Sequence, residues 1–396
     1  MMADQTHSYS PTAAHSPRVK AYIRDEDSAG VVRQALSDLG ADSAFKSAGI
    51  EVALADLADH VATRLLIVDI TGDEDPAASV RRLAEGCEPS TAIVVVGDSN
   101  DIRLYRNVRE AGAIEYFFKP LVTALVARTC QAVLTGVAET PSARTGRAVL
   151  VVGVRGGTGA TTVAVRTALK LSESPPRPVL ALDLDLRSGD AALQLDATPN
   201  HALMEALTQA DRVDDLFLER GLIHATKRLD LMASLEPLDA SIAFDETALI
   251  SLLDKVTRRY RYVVVDVPAA QAPSLSRTLH MPSTLILVSD GRLVSAREVA
   301  RWREWLGGNT AERTILHVLN MNGAPGSLPL AEFTRAADQA PDVIIPYARE
   351  VAASALLGAK ARPDIAALDR GLEPVLSMLS GDVGHHKRSL LDRVMG

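Results

Sequence analysis

One segment carries the residue types that hold a phosphate chain: Val151-Val-Gly-Val-Arg-Gly-Gly-Thr-Gly-Ala-Thr-Thr-Val-Ala164. Gly156, Gly157 and Gly159, with Thr158 between them, let backbone N–H groups approach phosphate oxygens. The helix that follows adds the partial positive charge of its N-terminus. Thr161 would offer a hydroxyl to Mg²⁺, with Thr162 beside it. Two positions depart from the usual loop. Ala160 stands where the phosphate-binding lysine is expected, and Arg155 stands where the deviant form of the loop has a second lysine. A missing ammonium removes charge stabilisation from a transferring phosphoryl group. Arg155 could partly substitute, in cis or across a dimer, because a guanidinium suits phosphate oxygens. The residues therefore predict nucleotide binding with doubtful hydrolysis. A dehydrogenase fingerprint is excluded, since Gly157 and Gly159 are followed by Thr162 where the third glycine belongs.

Carboxylates occur where such a site needs them. The stretch Leu182-Asp-Leu-Asp-Leu-Arg-Ser-Gly-Asp190 ends a strand with Asp183 and Asp185, whose alternation puts them on one face. There they would orient a water or hold Mg²⁺ through water. Asp266 follows three valines in Val263-Val-Val-Asp-Val-Pro268, like a Walker B acid. Aspartate also caps turns at strand ends, so each one alone says little. Three of them after successive strands of one domain say more.

The elements that must position these residues are legible as alternating apolar runs and helical stretches, the pattern of parallel sheets covered on both faces. Strands are expected at Val19–Ile23, Leu65–Ile70, Ala92–Val96 and Tyr116–Phe118, and then at Ala148–Val152, Val179–Leu184, Tyr262–Val267, Thr284–Val288 and Thr314–Leu319. The expected fold class is α/β, with one parallel-sheet domain over 18–134 and a second over 148–380. Residues 1–17 read as a disordered arm, 135–147 as a linker and 381–396 as a basic and apolar tail.

Composition narrows the field. The chain has 396 residues, enough for two or three domains, and a net charge of −8 that argues against a nucleic-acid coat. Two cysteines, Cys87 and Cys130, form no CxxC or Cys/His cluster, so a structural zinc or a disulfide framework is not expected. No apolar run reaches the roughly 18 residues of a membrane span, and no signal core opens the sequence. A soluble protein of the reducing cytoplasm is expected. Trp302 and Trp305 read as packing residues. Lys255–Arg261 reads as a solvated helix end, and His385-His386 as solvated side chains.

Taken together, Arg155–Thr162, Asp183–Asp190, Val263–Pro268 and Leu319-Asn320 resemble the deviant-Walker ATPases that include MinD and ParA. The resemblance implies a flavodoxin-like receiver domain joined to a P-loop parallel sheet, ATP and Mg²⁺ as cofactors, and a homodimer with nucleotide at its interface. Asp185 matches the water-positioning acid, Asp266 the acid on the Mg²⁺ side, and Asn320 a base-contacting asparagine, with Asn322 as an alternative. Loss of the loop lysine, together with the first domain, looks like the TadZ/CpaE branch associated with tight-adherence (Flp) pili. That likeness implies a scaffold at a cell pole near the inner membrane, partnered by a pilus-assembly secretion ATPase or polar scaffold proteins. The tail Lys387–Met395 is a possible weak membrane-surface contact.

The first domain resembles a response-regulator receiver. Asp69 ends the strand where a phosphoacceptor would stand, Lys119 precedes Pro120, and Asp25 belongs to the acids after the first strand. Arg24 is expected to intrude on that metal site. Gly97-Asp98 replaces the hydroxyl that couples phosphorylation to switching. Two alternatives to a pilus scaffold stay open: a ParA-like DNA-partitioning ATPase, and a phospho-signalling regulator using Asp69.

Overall fold

The computed structural model describes residues 18–57, 63–136, 145–173, 175–240, 242–349 and 366–380. The arm, the tail with its histidine pair, and residues 137–144 of the linker lie outside the described residues. The chain divides into two compact units, Met1–Ala84 with Ser90–Ala143, and Glu85–Pro89 with Arg144–Gly396.

In the first unit, β1 (Val19–Tyr22), β2 (Ser43–Lys46), β3 (Leu65–Asp69), β4 (Ala92–Gly97) and β5 (Glu115–Phe118) form one sheet in the order β2-β1-β3-β4-β5. Every pairing is parallel. Strands β3 and β4 are buried along their whole length, as continuous apolar runs in a parallel sheet must be. Helix α1 (Glu26–Asp38) starts at Asp25, whose carboxylate accepts from the Ser28 N–H. Its buried face, Val32, Ala35 and Leu36, packs with Val126, Cys130 and Val133 of α5 (Thr123–Leu134) over one side of the sheet.

The second unit is built on eight strands: β6 (Arg147–Gly153), β7 (Val179–Asp183), β8 (Ile223–His224), β9 (Leu229–Ala233), β10 (Tyr262–Val267), β11 (Ser283–Ser289), β12 (Arg313–Asn322) and β13 (Val343–Pro346). Their order is β13-β12-β11-β6-β10-β7-β9-β8, parallel except for the β8–β9 edge. Alternation sends Val149 and Val151 to one face, with α6 (Ala160–Glu173) and the C-terminal helix Ala366–Ser380. It sends Leu150 and Val152 to the other, with α10 (Glu246–Val256) and α12 (Leu293–Leu306). Burying one such side chain contributes about 1.5–3 kcal/mol. The two layers therefore hold β6 and β10 rigidly at the centre, and their carboxyl ends present the phosphate loop and Asp266.

Four strands escaped the sequence pattern: β2, β8, β9 and β13. Three of these lie at or next to a sheet edge and are at most four residues long or only half buried, so their patterning is weak. The run Lys255–Arg261 is not uniformly solvated. The Lys255 ammonium donates to the carbonyls of Ala210 and Val213, and burial pushes the Arg261 guanidinium below its usual value.

Candidate functional site

The loop Val154–Gly159 joins the end of β6 to the first turn of α6, and Gly157 and Gly159 take φ values of +79° and +82°. An L side chain is strained there. At Gly159 a Cβ would also meet Asn320 Nδ2 at 2.5 Å. Gly156 and Gly157 are exposed and Thr158 is buried, so the mouth of the loop is open while its base is packed. Ala160, Thr161 and Thr162 form the first turn of α6.

The acids gather at one point. Asp266 on β10 sits beside Asp183 on β7 in parallel register, and both are almost fully buried. Burial raises the Asp266 carboxyl to about 7; a hydrogen bond from Thr161 opposes the rise, and the charge of Asp183 adds to it. Burial likewise lifts Asp183 to about 6, against hydrogen bonds from the N–H groups of Asp185 and Ala191. No ammonium stands at position 160 to neutralise them. A hard divalent cation would, and a threonine hydroxyl with carboxylate oxygens is the donor set Mg²⁺ accepts, completed by phosphate oxygens and water. Among the described residues no three His, Cys, Asp or Glu side chains close on a single point, so the protein does not form a full cage by itself.

Three expectations change. Asp183 and Asp185 do not share a strand face: β7 ends at Asp183, and Asp185 lies in the following turn. The Asp185 carboxylate accepts from the N–H groups of Ser188 and Arg187, at 2.9 and 3.4 Å, and so ties its own turn. A cavity of about 570 Å³ opens beside it, lined in part by Arg187, Phe244 and Gln271. Asn320 is a buried brace: its amide donates to the Thr158 carbonyl at 2.9 Å and holds the loop from below. Asn322 is half exposed at the end of β12. Arg155 does not reach into the loop. Its Nε donates to Ser295 Oγ at 2.8 Å, its Nη1 to the Gly156 carbonyl at 2.9 Å, and its Nη2 to Asp290. Neither Asp290 nor Ser295 stood out in the sequence. The one local cue was a Ser-Asp-Gly run directly after a strand.

In the first unit, Asp69 is completely buried at the end of β3. Its carboxylate accepts from the Arg24 N–H at 3.1 Å, the Thr71 N–H at 2.9 Å and the Lys119 ammonium at 2.7 Å. Lys119 also pairs with Asp25 and donates to the Thr71 hydroxyl. Burial pushes Asp69 up, but Lys119 and Thr71 outweigh it and leave the carboxyl below its usual value. Asp25 falls to about 2, again with burial opposing and the Lys119 hydrogen bond prevailing. The sequence-predicted trio Asp25, Asp69 and Lys119 therefore does meet. The Arg24 side chain does not intrude; it swings over Gly49 to pair with Glu51 at 2.7 Å. The position held by Gly97 leaves space that the Tyr116 side chain fills, and its hydroxyl donates to the Ser99 carbonyl at 2.6 Å.

Both units are thus doubly wound α/β sheets, and the second carries a glycine-rich phosphate-type loop backed by buried acids. Solved structures share this fold. A ParA family ATPase from Chlorobium tepidum TLS is 21% identical over 58% of this chain and 98% of its own, with a TM-score of 0.50. The septum site-determining protein MinD of Pyrococcus horikoshii OT3, solved with Mg-ADP, is 22% identical over 61% of this chain and 96% of its own, with a TM-score of 0.49. The pilus assembly protein CpaE of Caulobacter crescentus CB15 is 29% identical over 30% of this chain and 94% of its own, with a TM-score of 0.28. No family model matches the sequence, and no curated protein does. No helix among the described residues is long and apolar enough to cross a membrane.

Proposed function

We propose that the second unit is an ATP- and Mg²⁺-binding module that hydrolyses slowly or not at all, and that the chain acts as a dimeric scaffold recruiting pilus-assembly machinery to a cell pole. The observation that carries the nucleotide reading is the meeting of the open loop 155–159 with Thr161, Asp183 and Asp266. Backbone N–H groups and the α6 N-terminus supply the phosphate contacts. Thr161 and the two acids would hold Mg²⁺, which supplies charge neutralisation at the phosphates when bound. The chain's own residues supply little for turnover: position 160 is a methyl group, Arg155 is engaged elsewhere and Asp185 is turned onto its own loop. A bound but long-lived nucleotide suits a scaffold better than a cycling motor.

The pilus assignment rests on the sequence resemblance, with CpaE among the structures that share similarity. A ParA-like partitioning role fits less well, because cycling on DNA needs hydrolysis and a basic surface, and the net charge is −8. The first unit is read as a receiver-like docking module, since Lys119 already neutralises Asp69 and Asp25.

Equilibrium binding of MgATP to the full chain, to Asp266→Ala and to Gly157→Val tests the nucleotide reading. Micromolar binding lost in both variants supports it; absence of binding near millimolar ATP overturns it. Deleting the gene in the native host tests the scaffold: undisturbed polar pilus assembly would refute that role.

A further inference from the structure

We infer that Asp290 competes with a bound polyphosphate for the guanidinium of Arg155, so that loading the loop frees the first turn of α12. The inference rests on the nucleotide reading above and adds a device that regulates it.

Arg155 is the sole basic residue between Gly153 and Thr162. A polyphosphate entering the loop would meet backbone N–H groups and this one cation. The cation is already committed. Asp290 and Ser295 take two edges of the guanidinium, and the Ser295 hydroxyl donates in turn to the other oxygen of Asp290. The Asp290 side chain is 7% exposed. Its other cationic neighbour, Arg292, stands 3.8 Å away and is more than half exposed. Arg155 is therefore the principal counter-charge of a buried carboxylate, and a bidentate phosphate partner is the kind of group that can displace it.

The same carboxylate organises the start of α12, because Asp290 accepts from the Arg292 N–H and from Ser295 in the helix's first turn. A second tie joins the helix to the loop: Trp302 Nε1 donates to the carbonyl of Val154, the residue before Arg155, at 3.1 Å. Withdrawal of Arg155 breaks the first tie and leaves the second. The α12 N-terminus, with exposed Leu293 and Val294, is then free to shift about the Trp302 anchor. Both tryptophans of the chain lie on α12, edge to face at 5.4 Å, and Trp305 is 40% exposed. Their emission reports on the helix.

The experiment measures MgATP affinity by equilibrium dialysis and tryptophan emission by titration, on the full chain at fixed low ionic strength. The variants are Asp290→Asn, Arg155→Ala and the double substitution, with Ser295→Ala as a milder way to loosen the same clamp. Asp290→Asn is expected to tighten MgATP about tenfold, the equivalent of about 1.4 kcal/mol, and Ser295→Ala to tighten it about threefold. In the Arg155→Ala background neither change should matter. MgATP should shift wild-type emission, and Asp290→Asn should already be shifted without nucleotide. Unchanged or weaker binding by both clamp variants overturns the inference while leaving the nucleotide site standing. Tight binding with no emission change in wild type also overturns it. Failure of every protein to bind MgATP removes the nucleotide reading and this inference together.

Discussion

Replacing Asp266 by asparagine should stabilise the nucleotide-free protein at alkaline pH while destroying its metal-dependent binding. In the folded chain Asp266 titrates at about 7, because burial and the neighbouring Asp183 disfavour its charge. Unfolded, it titrates near 3.8. The folded state thus holds a proton that the unfolded state releases, and stability falls as pH rises from about 4 to about 7. Each pKa unit is about 1.4 kcal/mol, so ionising Asp266 costs the fold about 4 kcal/mol once pH passes 7. An asparagine side chain carries no such charge and is nearly isosteric with the protonated acid. The difference in stability between Asp266→Asn and wild type should therefore be near zero at pH 5 and grow to a few kcal/mol at pH 8. Urea denaturation at both pH values, followed by tryptophan emission from α12, measures it. Millimolar Mg²⁺ with ATP should remove the wild-type penalty and leave the variant unchanged. A variant equally or less stable than wild type at pH 8 would show that the carboxylate is already neutralised by a partner, and the metal-site argument would fail.

Other outcomes follow from the same geometry. Gly157→Val puts a β-branched residue at φ +79° and should abolish MgATP binding while costing stability by roughly 1–3 kcal/mol, read by circular dichroism on heating. Lys119→Met leaves Asp69 buried without its ammonium and should destabilise the first unit by about 3 kcal/mol at neutral pH. The wild-type pair stabilises above the ordinary carboxylate range and is lost as pH falls through the lowered Asp69 value, so the defect should shrink toward pH 3; amide exchange in β1 and β3 reports it. Gly97→Ala drives a methyl group to within 2.7 Å of the Tyr116 hydroxyl and should cost about 1–3 kcal/mol, partly recovered in combination with Tyr116→Phe. Acetyl phosphate should leave Asp69 unmodified in intact-mass spectra, because Lys119 already occupies the cation position between it and Asp25.

The central elements were readable from the chain because their signals are local. Continuous apolar runs bounded by turn residues marked β3, β4, β6, β10 and β11 to within one residue or so at each end. Glycines at fixed offsets after β6 marked the phosphate loop, and an aspartate after three valines marked the buried acid of β10. Edge strands were not readable: β13 is four residues in which buried and exposed positions alternate, which a loop can mimic. Strand β9 carries Asp230 within its apolar run, and only its place beside β7 makes it a strand.

What the sequence by itself determined is which residues could do chemistry and which strand end each would occupy. The spacing of glycines, hydroxyls and acids along parallel strands follows directly from chain order. What only the tertiary structure decided is where each charge is spent. Arg155 meets Asp290 across 135 positions, and Asn320 meets Thr158 across 162. Lys119 meets Asp69 across 50. Such pairings depend on which strands lie adjacent in the sheet, and no local periodicity encodes that. The same loop of residues reads as a phosphate clamp along the chain. In the fold it is an open cradle whose one cation is held by a carboxylate, because burying Asp290 without a counter-charge would cost more than holding Arg155 in place.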